Sequence, residues 1–367
     1  MPYLILSTFG YTGSRNSGDD LISKSLIRLL TRVKGKQAGF DVFSLVDHSI
    51  KDIRDIEKYH AVIAPAMRPT VQGSRTLPPA RAMILEMAIK HNIPFYAVGS
   101  GWGTYPGSLK QAKNQRLTKE EKAQLTAITG DNGSVSCRDF MTEVLLKNNG
   151  IPCYGTTGDC ALFDTKSIGR PLNIPKKIQS IAVSLPHNQH HWPACYQLAL
   201  QLKREFACTV YLTFHGYYGK LSSLIDPEWD TNEVQIKDLS GGAEKLSFYQ
   251  KVDVHIGFRL HGHIWFLRKR KPSLLIAEDG RGMGHLITVN GLGYSAASKA
   301  TWEKAGECIT FSKETMYKHK ENEPNIVKAI EMFKQENARG YPITKNSLRK
   351  IDNLWHNQMK PLIQQLP

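Results

Sequence analysis

The sequence predicts an α/β protein of two similar domains, each a parallel sheet flanked by helices, with a cleft between them. Three observations carry this expectation. Short apolar runs alternate with helix-length amphipathic runs through the first half of the chain. A segment without strong periodicity, "DTKSIGRPLNIPKKIQS" (164–180), then interrupts the pattern with two prolines and a glycine. After it the alternation restarts. Strands that alternate with helices indicate βαβ units and parallel sheets. A chain of 367 residues also exceeds one ordinary core.

The elements follow in order. "YLILSTF" (3–9) reads as the first strand of the fold rather than a signal peptide, because no basic leader precedes it. "DDLISKSLIRLLTRV" is the first helix, "FDVFSLV" and "HAVIAPA" are strands, and "ARAMILEMAIKH" is a helix leading into the strand "IPFYAVG". "SVSC" is a strand and "RDFMTEVLLKNNG" a helix with Gly150 at its C-cap. "IPCYG" closes the first half. The second half reads "SIAVSLP", the helix "PACYQLALQLKREF", "CTVYLTFH", the helix "AEKLSFYQKV", "VDVHIGF", the helix "GHIWFLRKR" and "PSLLIAE". From 346 to 366, Leu348, Ile351, Trp355, Met359 and Leu362 share one helical face. The expected division is 1–167 for the first domain, 168–179 for a linker, 180–340 for the second domain and 341–367 for a helix packing back on the body.

Composition narrows the function. Hydrophobic residues make up 41% and charged residues 22%, ordinary for a soluble globular protein. No apolar run is long enough to span a bilayer. The six cysteines, at 137, 153, 160, 195, 208 and 308, form no CxxC pair. That favours reduced cytoplasmic thiols over a disulfide framework or a zinc site. A formal net charge of +15 suits nucleic acid, an anionic membrane surface or anionic small substrates, and equally a merely soluble basic surface. No zinc finger or RNP sequence is present, which sets nucleic acid aside. Peripheral association with the inner membrane face stays open.

Ligands of open parallel sheets bind beyond the carboxyl ends of the strands, and this rule selects four loops. The first is "GYTGSRNSGDD" (10–20), with Asn16, Gly18 and Asp19 before a helix N-terminus that favours anions. It has neither P-loop nor dinucleotide spacing. Asp19 is either a capping or first-turn carboxylate or a group that binds acceptor or acts as a base. The second is "GSGWGTYP" (99–106), where Gly101 allows close approach and Trp102 either stacks on a sugar or covers the core. In the third, "SVSCRDF" (134–140), Asp139 reads as a helix N-cap. Arg138, at the strand end, is either an exposed cation or a bidentate holder of carboxylate or phosphate.

The fourth loop is "GFRLHGH" (257–263). Val252, Val254, Ile256 and Phe258 alternate as a strand, then Arg259 and His261 precede an apolar helix. A fixed cation, a titratable imidazole and a helix N-terminus would meet there. His263 reads as part of the helix start, and 268–271 as a basic helix C-terminus. "HNQHH" (187–191), with His187 first, has no acidic partner at metal-ligand spacing, so no metal is expected. "EDGRGMGH" (278–285) also follows a strand and offers Arg281 or His285 to a phosphate or an acceptor.

With these loops in order, the chain resembles the polysaccharide pyruvyl transferase family over roughly residues 3–295. The pieces that carry the resemblance are the Asn-Ser-Gly-Asp loop, "GSGWG", "SVSCRD" and "GFRLHG". The chain departs from the family pattern at Cys137, where valine is usual, and at Cys160, where proline is common. The resemblance implies two Rossmann-like domains in a GT-B-like arrangement. It implies transfer of a pyruvyl group from phosphoenolpyruvate to two hydroxyls of one sugar, forming a cyclic ketal, with no further cofactor. Arg138 and Arg259 would hold the donor, flanked by Leu260 and Gly262, and His261 would be the active-site histidine. Asn16, Gly18, Asp19, Gly101, Trp102 and His187 fall to the acceptor side or to support. The acceptor would be a sugar, an oligosaccharide or a lipid-linked glycan. Two rival readings keep the architecture: a glycosyltransferase using a nucleotide-activated sugar, with Glu278 holding the ribose, and a glycan-binding protein without turnover.

Overall fold

Tyr3–Ser7, the strand β1, is buried at every position, as befits the middle of a parallel sheet covered on both faces. In the computed structural model, which describes residues 1–53, 55–69, 79–130, 133–217, 220–297 and 324–367, β1 leads into the helix α1 (Ser17–Lys34). The Asn16 side chain caps α1 by accepting from the Gly18 N–H. Leu21, Ile22, Leu26, Leu29 and Leu30 form its buried stripe. Each such side chain contributes about 1.5–3 kcal/mol through burial. The first sheet continues with β2 (Phe40–Ser44), β3 (Ala61–Pro65), α2 (Pro79–Lys90), β4 (Phe95–Ser100), α3 (Leu109–Asn114), α4 (Lys119–Ile128), β5 (Gly133–Cys137), α5 (Phe140–Asn148) and β6 (Gly155–Thr156). Its order is β2-β1-β3-β4-β5-β6, and every described pairing in it is parallel.

The second sheet is formed by β7 (Ser180–Ser184), β8 (Thr209–Phe214), β9 (Gln235–Asp238), β10 (Val254–Gly257), β11 (Ser273–Ala277) and β12 (Gly293–Ser295). Its helices are α6 (Trp192–Phe206), α7 (Leu260–Arg268) and α8 (Gly280–Val289). The order β12-β11-β10-β7-β8-β9 is again parallel throughout. Strand order reverses beside β1 in one sheet and beside β7 in the other, the places where parallel sheets bind ligands. The stretch expected as a helix at 243–252 is a 3-10 helix, Ala243–Lys251. Its buried residues, Leu246 and Tyr249, are three apart, which suits a three-residue turn.

Beyond α9 (Ile326–Ala338), the chain crosses back through α10 (Pro342–Leu354), a π-turn at Trp355–Met359, and α11 (Lys360–Gln365). Pro361 has no N–H for the carbonyl four residues earlier, which accounts for the wider turn just before it. Leu348, Ile351, Trp355, Met359 and Leu362 are all buried in one cluster with Leu26, Leu29, Leu30 and Phe163.

The basic run 268–271 stands at the C-terminus of α7, and it is not left to solvent. Arg268 donates to Ser25 Oγ at 2.8 Å and to the Phe163 carbonyl at 3.2 Å. Lys269 pairs with Asp164 at 2.6 Å, and Arg270 pairs with Asp352. These cations satisfy acceptors of other segments, so their side chains turn inward. The two sheets present their carboxyl-end loops to one cleft, in the GT-B-like arrangement. No described helix is long and apolar enough to cross a membrane. The five described cysteines are free. Cys308 lies outside the described residues.

Candidate active site

The cleft is lined by loops from both sheets, among them Asn16, Asp19, Arg138, His187, Arg259, His261, Glu278 and Arg281. β10 ends at Gly257, and Arg259 is the N-cap of α7. Its backbone N–H donates to Ser184 Oγ at 2.9 Å, which ties the start of α7 to the end of β7. The guanidinium donates from Nη2 to the Gly216 carbonyl at 3.1 Å and from Nη1 to His187 Nε2. His187 therefore accepts at Nε2 and carries its proton on Nδ1, which faces Glu278 Oε2 at 3.0 Å. Burial and the Arg259 charge hold the His187 pKa down to about 4, so the ring is neutral at pH 7.

Glu278 also accepts from the backbone N–H groups of His187 and Asn188, at 3.1 and 2.8 Å. Burial opposes its ionisation, but His187, Arg259 and the Asn188 N–H outweigh that and hold it at about 2. The chain Arg259–His187–Glu278 thus fixes the guanidinium by a buried, charged anchor.

Arg138 enters from the opposite lobe at the end of β5, where its N–H donates to the Ser100 carbonyl at 2.7 Å. It is 5% exposed, which excludes the exposed-cation reading. Nη1 lies 3.7 Å from Asp159 Oδ2, while Nε and Nη2 have no hydrogen-bond partner. Gly101 lies against this side chain; a Cβ there would stand 2.4 Å from Nη2. Asp139 caps α5, as expected, by accepting from the Thr142 N–H at 2.9 Å.

His261 is in the first turn of α7, and its Nε2 lies 3.4 Å from Asp159 Oδ2. Burial disfavours the Asp159 charge, but His261 and Arg138 together hold its pKa at about 2. Asp159 follows the two-residue strand β6, and its Oδ1 accepts from the Ala161 N–H at 2.8 Å. Gly18 lies against the other side of the ring; a Cβ there would stand 2.3 Å from His261 Nδ1. The imidazole is thereby held between the two lobes.

The remaining expected residues are placed as follows. Leu260 lines the cleft, whereas Gly262 is buried in α7. A Cβ on Gly262 would stand 3.0 Å from His255 Nε2, so it serves packing below the cleft. Asn16 is the α1 cap, and Asp19 is a first-turn carboxylate whose pKa burial pushes up against His261, Arg281 and Arg68. Arg281 lines the cleft paired with Asp279, while His285 is buried behind it, edge-on to His263 at 5.3 Å.

Of the two readings open for Trp102, the core one holds. The residue is 3% exposed and packs with Ala112, Met141 and Leu145, so the core takes the indole and no face remains for a sugar. The residues that sequence reasoning missed are Asp159 and Arg68. The rule of strand ends would have found Arg68 after β3, where burial and the Arg281 charge lower its pKa to about 10. Among the described residues, no group of three or more His, Cys, Asp or Glu could hold a metal ion.

A model of the polysaccharide pyruvyl transferase family matches residues 16–280. No curated protein matches the sequence. Among solved structures, the chain is similar to UDP-GlcNAc 2-epimerase from Neisseria meningitidis bound to UDP-GlcNAc, with 12% identity, 99% and 98% of the two chains covered and a TM-score of 0.49. The UDP-GlcNAc 2-epimerase of Methanocaldococcus jannaschii, in complex with UDP-GlcNAc and UDP, gives 12% identity, 90% and 99% coverage and 0.48. Arabidopsis thaliana UGT89C1 complexed with UDP-L-rhamnose gives 10% identity, 96% and 97% coverage and 0.40. Such low values describe a similar course of the chain and carry nothing about substrate.

Proposed function

The chain belongs to the polysaccharide pyruvyl transferase family, and from that premise we propose that it transfers a pyruvyl group from phosphoenolpyruvate to two hydroxyls of one sugar in a glycan, forming a cyclic ketal. The observation that carries this reading is the meeting of Arg138, from one lobe, with Arg259 and His261, from the other, around one cleft. Phosphoenolpyruvate has a carboxylate and a phosphate, and two guanidinium groups in fixed positions match such a pair. Arg138 Nη2 has neither hydrogen bond nor ion pair among the described residues, Nε stands 3.8 Å from Asp139 Oδ2, and Arg259 is held in place by His187 and Glu278.

The chemistry is one addition followed by one substitution. A proton adds to the methylene carbon through the electron pair of the C=C bond, which leaves positive character on the central carbon. The first sugar hydroxyl bonds to that carbon and gives up its proton. Phosphate then leaves with the electrons of its C–O bond, and the second hydroxyl closes the ketal. The two hydroxyl protons balance the new methyl C–H and the released phosphate. His261 is the group that moves a proton in this scheme, as general acid or base. The ionised Asp159 fixes its ring and offers a partner for a proton on Nε2.

Two further observations favour this reading over its rivals. A nucleotide-sugar enzyme was expected to hold ribose through Glu278, but that carboxylate already accepts from His187 and Asn188. The buried contact of His261 with Asp159 costs desolvation that glycan binding alone does not require. The test is phosphate release from phosphoenolpyruvate with a panel of sugar acceptors. Release should depend on acceptor, and His261→Ala should lower turnover on the order of a hundredfold or more. Arg259→Ala should abolish saturation by the donor. Response to nucleotide sugars alone would move the assignment to a glycosyltransferase.

A further inference from the structure

Further along α1 and α7, past the catalytic cleft, lies a second cavity of about 640 Å³. It shares no lining residue with the cleft. Its size is that of a small-molecule pocket, about 300–1,000 Å³. Five cations line it: Lys24 and Arg28 on α1, Lys166 after the first sheet, and Arg268 and Lys269 at the end of α7. Only two carboxylates join them, Asp164 and Glu244, and both are engaged. Lys24 pairs with Glu244 at 3.0 Å and with Asp20 at 2.7 Å, and Lys269 pairs with Asp164 at 2.6 Å.

Arg28, Lys166 and Arg268 are left without a close ion pair among the described residues. Arg268 is 5% exposed; its two terminal nitrogens donate to uncharged oxygens, and its buried Nε has no partner. Burial, together with the nearby Arg28 charge, lowers its pKa to about 10 despite Asp164. A buried guanidinium beside another cation is unfavourable until an anion joins them. The floor, by contrast, is apolar, formed by Leu21, Ala243 and Trp265, with Ser247 and Gln250 offering hydrogen bonds.

We propose that this cavity is a second ligand site, which takes an organic phosphate. Arg28, Lys166 and Arg268 hold the oxyanion, and the uncharged body lies on Leu21, Ala243 and Trp265. The walls come from both sheets' connections, so the ligand ties α1 to α7. Those two helices carry Gly18 and His261 at their cleft ends. Occupancy therefore acts on turnover through the position of His261 rather than by touching substrate. That effect rests on the function proposed above, whereas the binding site does not.

Inorganic pyrophosphate is the probe, titrated calorimetrically at about 0.15 M salt with phosphoenolpyruvate saturating. One equivalent should bind. Affinity should fall about tenfold or more in R28E/K166E, whose two side chains are exposed. It should be unchanged in the charge-matched K51E/K119E. No binding beside phosphoenolpyruvate, or an equal loss in K51E/K119E, would overturn the proposal. So would competition between pyrophosphate and the glycan acceptor, which would make the cavity a remote part of the acceptor site. A protein inactive with phosphoenolpyruvate would still report pyrophosphate binding, so the two readings fail separately. In an active protein, pyrophosphate should change kcat in the wild type and not in R28E/K166E.

Discussion

Gly18 has no side chain because His261 stands where one would go. It lies in the first turn of α1, where alanine would favour the helix by up to about 1 kcal/mol. Gly18→Ala should therefore fold. Its Cβ would stand 2.3 Å from His261 Nδ1, so the ring must shift. The expected outcome is a fall in kcat on the order of a hundredfold, with a smaller change in the KM for phosphoenolpyruvate, since a misplacement of about 1 Å has that cost. Steady-state kinetics beside a thermal melt checks both halves of this statement. Asp159→Asn keeps the shape beside His261 and removes the charge. It should lower kcat on the order of tenfold to a hundredfold, and it should lower the melting temperature at pH 7 as well, because His261 and Arg138 hold the buried Asp159 ionised in the folded chain. Full turnover in that variant would make Asp159 a packing residue only. Arg138, Arg259 and His261 were legible because each stands just after a strand that announces itself by alternation. Asp159 was not, because β6 is two residues long and shows no period. Trp102 stayed open between sugar and core for a different reason: a loop residue near a cleft can point either way, and sequence spacing does not fix the direction.

The strand β10 and the helix α7 carry histidines that the cleft does not use. His255 is on β10, in register with Ser273 on β11, and is fully buried. Its Nδ1 faces Ser273 Oγ at 2.9 Å, and its Nε2 faces Ser184 Oγ at 2.7 Å, the hydroxyl that also receives the Arg259 N–H. His263 on α7 faces the same Ser273 Oγ at 2.7 Å. A buried hydroxyl–imidazole chain thus underlies the start of α7. Burial holds the pKa of His255 at about 3 and that of His263 well below its usual value. Both are neutral in the folded chain, while in the unfolded chain they titrate near 6.5. Below about pH 6.5 the unfolded chain therefore binds more protons, and stability falls as pH falls. Each such histidine contributes up to about 1.4 kcal/mol per pH unit until its folded pKa is reached. Ionised Glu278 and Asp159, each near 2, add a loss of the same sign at lower pH. The melting temperature should drop between pH 7 and pH 5, and a scanning calorimeter reads it directly. A constant value over that range would mean that the chain is hydrated. The period-2 pattern of β10 was plain in the sequence, but His255 could have been read as a surface residue. Its serine partners come from β7 and β11, and only sheet register brings them together.

At the scale of the whole molecule, the two lobes are joined by more than the segment between the sheets. Loop 14–17 bonds to the second lobe through Ser17 N–H to the His215 carbonyl at 2.8 Å and Tyr217 N–H to the Ser14 carbonyl at 3.0 Å. The Ala243 N–H donates to Asp20. From the far end of the chain, Trp355 packs on Phe163 with ring centroids 5.5 Å apart, and Lys34 donates to the Gln364 carbonyl at 3.0 Å. The amphipathic pattern at 346–366 told that this segment buries a face, but not against what. That face meets the buried stripe of α1, more than 300 positions earlier in the sequence. Trp355→Ala should therefore cost about 3–5 kcal/mol, the usual range for a buried tryptophan. The consequence should not stay local. Hydrogen exchange should quicken in α1, and kcat should fall, because α1 carries Asn16 and Gly18 to His261. Loss of stability with α1 protection and turnover both intact would mean that the C-terminal helices brace the body without bearing on the cleft. A coupled loss would show that the last turn of the chain helps to hold the first loop of the site in register with His261.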